Sequence, residues 1–291
     1  MNQDLVRGSV VAGRTATAAP PTTVSIPPHR WIIKSMGTAF SLAIVGESSA
    51  TTEKLVTAIR YDFGRIESWL SVVRPDSELY QWQHGYLSDA QLSMETREVM
   101  AACELAEELT GGLFSAQHAG HYDPTFYVKG WALERAGRRL DEAEVSSYYL
   151  NGDGDITARG DGPDGLPWRL GVGHPYHPGA LATVISEPPG DSRPIAIATS
   201  RATQPDGHVT TAHDDWVPAL SSITVAGHNI AFVNMASAAA LAAGRQGSQA
   251  SAALVHRLGL EALGFDENQH PWWTEGMRQF AVLPAHHSTT A

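Results

Sequence analysis

The sequence predicts an α+β fold, in which helices and strands arrive in runs and not in regular alternation. Three observations carry this prediction. Residues 51–140 show apolar residues at helical spacing, residues 148–225 break into short β-type segments between Gly, Pro and Asp turns, and an alanine-rich helical stretch follows. The composition agrees, since 43% of the 291 residues are hydrophobic and 18% charged, as in chains that build a core. The length suffices for one large core or two modest lobes.

Residues 1–28 read as a tail, because Ala, Thr and Pro dominate 15–28 and no apolar periodicity offsets the entropy of ordering. The folded domain is expected over 29–291. Trp31, Ile33 and Met36, then Phe40, Leu42 and Ile44, alternate as a strand pair that bends at Gly37-Thr38. Leu55, Ile59, Phe63, Ile66 and Leu70 mark a helix over 51–70 with Ser/Thr caps in front. After a turn at Arg74-Pro75-Asp76-Ser77, a second helix is expected over 93–109, stopped by Gly111-Gly112. Asp123-Pro124 opens a third helix, with Asp as cap and Pro at the first helical position, which runs to about Leu140. Strands follow at 148–150, 155–157, 168–172, 181–185, 195–198 and 223–225, and helices at 231–243 and 248–258. The end of the chain is mixed, and no internal repeat is present.

A net charge of -11 excludes a nucleic-acid groove, which needs a basic stripe to neutralise phosphates. The lysines are Lys34, Lys54 and Lys129, and only the last sits inside a motif. Cys103 is the single cysteine, so neither an intramolecular disulfide nor a multi-thiolate metal site can form. It falls between Val99 and Ala106 in a helical apolar pattern and reads as a buried thiol. No apolar run reaches the roughly 18 residues of a membrane span. Without the layout of a signal peptide either, the expected location is cytoplasmic.

Four clusters carry chemistry. Asp123 through Ala132 places a helix N-terminus, with its free N–H groups, near Lys129, which suits an anion. Asn151-Gly152-Asp153-Gly154-Asp155 is a Gly-Asp turn whose carboxylates can bind a hydroxyl or a cation. Thr199-Ser200 ends a strand ahead of a polar loop containing His208, a group able to exchange protons near neutral pH. Asn234 and Ala238 lie one turn apart at the start of the alanine-rich helix, the arrangement in which two ligands converge on an ion. Each cluster alone also reads as ordinary structure: a capped helix, a hairpin turn, a surface histidine, a packing helix.

In order and spacing these clusters resemble the ApbE family of FAD:protein FMN transferases, over about residues 30–285. Met36-Gly37-Thr38 looks like the family's opening motif, Ser71 through Pro75-Asp76-Ser77-Glu78 like its Ser-Thr-Tyr-x-x-Asp-Ser-Glu segment, and Thr110-Gly111-Gly112-x-Phe114 like its Thr-Gly-Gly-x-Phe. Asp123 to Ala132, Asn151 to Asp155, Pro167-Trp168-x-x-Gly171-Val172, Thr199-Ser200 and His208-Val209 continue the series in register. The resemblance implies a two-lobed architecture of mixed sheets with flanking helices, related to the T-fold, with the active site between the lobes. It implies that FAD is the substrate, that FMN passes to a threonine hydroxyl on a flavin-acceptor protein with help from Mg²⁺, and that AMP is released. Met36, Asp123, Lys129, Asp155, Ser200 and Thr210 would then serve the cofactor, His208 would be the base, and Phe126 (through its carbonyl), Asn234 and Ala238 would stand at the metal.

The chain departs from the family's pattern at that metal. Asn234 replaces an Asp, Ala238 replaces a Thr, and Phe126 stands where the family has a small residue. A hard cation favours carboxylate oxygen, so these changes are expected to weaken the site. Asp153 also replaces the first Gly of Gly-Gly-Asp, Val73 replaces a Tyr, and the segment after His208 diverges. Three readings follow: a transferase that recruits other carboxylates (Asp153, Asp214 or Asp215), a flavin binder without transfer, or a scaffold turned to another small molecule. No Ser/Asp-Gly-Ala-Ser/Thr acceptor motif occurs, so the chain is not expected to flavinylate itself.

Overall fold

The structure, a computed structural model, describes residues 6–7, 26–118, 120–188, 190–202 and 220–281. Its elements are β1 (Val6–Arg7), β2 (His29–Ser35), β3 (Thr38–Val45), α1 (Ser49–Leu70), α2 (Glu78–Gln83), α3 (Met94–Thr110), β4 (Gln117–His118), β5 (His121–Tyr122), α4 (Thr125–Glu142), β6 (Ser147–Gly152) and β7 (Asp155–Arg159). They continue with β8 (Arg169–Gly173), β9 (Leu181–Ser186), β10 (Ile195–Arg201), β11 (Leu220–Gly227), α5 (Ile230–Ala243), α6 (Ser248–Arg257), β12 (Glu261–Asp266) and β13 (Pro271–Trp273). Among the described residues no helix is long and apolar enough to cross a membrane.

Among the described residues nine strands form one sheet in the order β1-β13-β12-β11-β10-β7-β6-β3-β2, and each pairing within it is antiparallel, where the resemblance implied mixed sheets. Period-2 alternation divides the apolar side chains between two cores. In β10, Ala196 and Ala198 face the helices, whereas Ile195 and Ile197 face a second cluster with Ile156, Leu170, Ile185 and Phe265. The helices cover one face. The β8–β9 hairpin and a 3₁₀ turn at Glu275–Gln279 cover the other. The lobes of this α+β fold are thus two cores backed on a shared sheet.

Local signals explain most boundaries. Ser48 caps α1 by accepting from the Thr51 N–H, Ser93 caps α3 through Thr96, and Gly111 ends α3 in the left-handed region at φ 63. Pro124, and not Asp123, occupies the N-cap of α4; Asp123 instead accepts from the Thr125 N–H at 2.9 Å. Three features differ from the sequence reading: α2 follows the expected turn at 74–77, β4 and β5 form a short hairpin, and the mixed C-terminal part contains β12 and β13. Within the expected tail, Val6–Arg7 pairs with Trp272 and Trp273 at the sheet edge, and residues 1–5 and 8–25 lie outside the described residues.

Candidate functional site

Two tight turns sit at one end of the sheet. Met36 (φ 52) and Gly37 (φ 71) join β2 to β3, and Asp153 (φ 59) and Gly154 (φ 93) join β6 to β7. Positive φ at both central residues is the two-residue hairpin geometry that matches strand twist. Register puts the turns side by side, because Phe40 of β3 pairs with Gly152 of β6. Only glycine fits at 152, since a Cβ there would lie 2.5 Å from the Phe40 ring. Asp153-Gly154 is a favoured pair for this turn, whereas Met36 is not a favoured left-handed residue. Its backbone N–H donates to Glu67 Oε1 at 2.5 Å, so the last turn of α1 holds the strained turn in place.

A cleft of ≈ 390 Å³ opens beside these turns. Met36, Glu67, Arg74, Asp123, Thr125 and Lys129 line it over an apolar floor of Ile66, Leu70 and Val128. The first turn of α4 therefore contributes to its wall, with the positive end of the helix dipole. Its two cations are both paired. Arg74 donates to both carboxylate oxygens of Asp76, at 3.1 and 2.7 Å, which holds the Asp76 carboxyl below its ordinary range. Lys129 Nζ lies 3.2 Å from Asp153 Oδ2.

Behind the cleft, α4 and α5 pass closely at Gly130, where a Cβ would stand 3.0 Å from Asn234 Cβ and 3.1 Å from Ala231 Cα. Asn234, 1% exposed, donates from Nδ2 to Asp155 Oδ2 at 2.5 Å. Burial raises the Asp155 carboxyl to about 7, opposed by the hydrogen bonds from Asn234 and the Thr199 backbone; Asp153 raises it further and Lys129 lowers it. Ser200 is also buried, and its hydroxyl pairs with Ser237 at 2.9 Å, which in turn donates to the Asn234 carbonyl.

Of the residues expected to serve a cofactor, Met36, Asp123 and Lys129 thus meet in one cleft. Asp155 reaches it through Asp153 and Lys129, while the Ser200 hydroxyl is committed to Ser237. His208 and Thr210, with Asp214 and Asp215, lie outside the described residues. Glu67 escaped the sequence reading: a glutamate at the end of an amphipathic helix looks like solvated surface, and only the fold brings it under Met36.

Among the described residues, the side chains at the three positions proposed for a metal offer few oxygen ligands. Phe126 and Ala238 pack against the helix-side core, and the Ala238 side chain carries no oxygen. Among the described residues Asn234 Oδ1 is buried without a hydrogen-bond partner, so the side chains here offer one neutral oxygen beside the Asp155 carboxylate. Mg²⁺ and Ca²⁺ take about six or more hard oxygen ligands, with charge among them. Among the described residues no group of three or more His, Cys, Asp or Glu side chains could hold a metal ion. The described residues at these positions thus do not by themselves complete a site for the ion.

The fold defines the class: an α+β protein built like solved flavin transferases. It superimposes on the flavin transferase ApbE of Vibrio cholerae with a TM-score of 0.70 and 17% identity, covering 87% of this chain and 100% of that one. The flavinyl transferase ApbE of Pseudomonas stutzeri in its apo form gives a TM-score of 0.70 at 16% identity, over 89% and 99% of the two chains. The apbe protein of Thermotoga maritima gives 0.75 at 18% identity, over 88% and 100%. The sequence model of the ApbE family matches residues 121–263 of the chain. No curated protein sequence matches it.

Proposed function

We propose that the chain binds FAD in the cleft and transfers FMN to a threonine hydroxyl of a partner protein, releasing AMP. The observation that supports this most is the convergence of the Met36-Gly37 turn, Asp123 and Lys129 around one cleft at the N-terminus of α4. An ammonium and a helix N-terminus suit a pyrophosphate, and the apolar floor suits a planar ring system. In the transfer, the threonine oxygen bonds to the FMN phosphorus and the pyrophosphate bridge breaks. AMP leaves with the bridging oxygen, and the hydroxyl proton passes to a base, for which His208 is the candidate. The experiment is an FAD titration followed by flavin fluorescence, with and without Mg²⁺, and then an assay of AMP release with a carrier-protein fragment. Binding with release supports the transferase, and absence of binding sinks the flavin reading.

A second reading rests on a specific observation: Ala238 supplies no oxygen, and Asn234 is engaged with Asp155. On this reading the chain binds flavin without transferring it. Tight FAD binding with no AMP release, with or without Mg²⁺, would decide for it.

A further inference from the structure

Lys129 is the only lysine on the cleft, and its side chain is 19% exposed, so its ammonium has few directions to face. It faces Asp153, whose side chain is 55% exposed at the tip of the β6–β7 turn. The turn needs a residue tolerant of φ 59, which Asn and Gly satisfy as well as Asp. Asn151 Oδ1, which accepts from the Gly154 N–H at 3.0 Å, closes the turn without any help from the Asp153 carboxylate. The charge at 153 is thus separable from the geometry at 153. Its electrostatic partners are Lys129 and, through space, the Asp155 carboxyl.

We propose that Asp153 is a built-in competitor for Lys129, so that a phosphate-bearing ligand enters the cleft by displacing the Asp153 carboxylate from the ammonium. Asp153 then sets both the affinity and the salt dependence of the site. The exchange moves no covalent bond. It replaces one exposed ion pair by another, and such pairs are weak enough for a pyrophosphate bridge carrying two charges to outbid a single carboxylate. The inference deepens the flavin reading and rests on it for the identity of the ligand.

The test compares the wild type, Asp153→Asn, Lys129→Met and the double variant by FAD fluorescence titration, in EDTA and in Mg²⁺, at low and high NaCl. Asn keeps the left-handed turn, and matched melting temperatures verify the fold. Asp153→Asn is expected to tighten FAD by about two- to five-fold at low salt. The gain should shrink in high salt and vanish in the Lys129→Met background. An unchanged or weakened affinity, or an equal gain without Lys129, overturns the proposal. A loss seen only with Mg²⁺ also overturns it, since Asp153 would then be a cation ligand. If no protein binds FAD, the flavin reading fails by itself, and titration of the same four proteins with inorganic pyrophosphate decides the competition by the same ordering.

Discussion

Asn234 lies on the buried face of α5 with its amide N–H donating to Asp155 and its side-chain oxygen unpaired among the described residues, in the position where the ApbE pattern has a carboxylate. Restoring the charge and the missing hydroxyl together, as Asn234→Asp with Ala238→Thr, should strengthen Mg²⁺ binding relative to the parent, measured by calorimetric titration. Unchanged affinity would place any metal elsewhere. Asp155 makes a separate prediction. Its folded value of about 7 exceeds the ordinary 3.8, so between these pH values the folded state holds a proton that the unfolded state has lost. Its contribution is fully present at low pH and declines as pH rises through the window, by at most about 1.4 kcal/mol per unit. Asp155→Asn should remove that decline, so the stability difference between variant and wild type, from urea unfolding at several pH values, should grow in the variant's favour from acid to neutral pH. A flat difference would mean that the carboxyl titrates normally.

At the scale of elements, the crossing of α4 over α5 depends on the absence of a side chain at Gly130. Ala there meets the Ala231 backbone at 3.1 Å as well as Asn234, so the helices must separate. Gly130→Ala is expected to cost about 1–3 kcal/mol in denaturant unfolding and to weaken ligand binding by shifting Lys129. Full retention of both would show that the crossing is compliant. The elements that the sequence revealed are those with local punctuation, such as the Ser48 and Ser93 caps, the Gly111 stop and the alternation through Phe40, Leu42 and Ile44. The six residues of α2 are too few to display a helical period. In β12 the interior Gly264 masks the strand signal. A Cβ there would come within 2.4 Å of the Trp272 ring, so the glycine answers to a residue on the paired strand and not to its neighbours in sequence.

For the whole molecule, two cores on opposite faces of one sheet separate stability from binding. The cleft floor, with Ile66, Leu70 and Val128, belongs to the helix side, whereas Leu170 and Ile185 belong to the other. Leu170→Ala should cost about 2–5 kcal/mol, as large-to-small changes in a packed core do, yet leave FAD affinity within two-fold or so below the transition. Phe63→Ala, which removes a ring whose centroid lies 4.7 Å from that of Phe40 in the helix-side core, should lower both stability and affinity. Equal effects of the two changes on binding, followed by titration after confirming each melting temperature, would show that the cores act as one.

The sequence by itself determined the fold class, the limits of the five longer helices and most strands. It also carried the resemblance to the ApbE family, through an ordered series of short motifs of which Asp123 to Ala132 and Asn151 to Asp155 fall in the matched segment. It exposed the loss of oxygen ligands at 234 and 238 as well, because side-chain chemistry is written in each letter. Only the tertiary structure decided the pairings. Glu67 holds Met36 across 31 residues, Asp155 meets Asn234 across 79, and Asp153 takes the ammonium of Lys129 across 24. Periodicity and capping are short-range properties of the backbone, whereas these contacts depend on strand register and on helix crossings that only the packed chain defines.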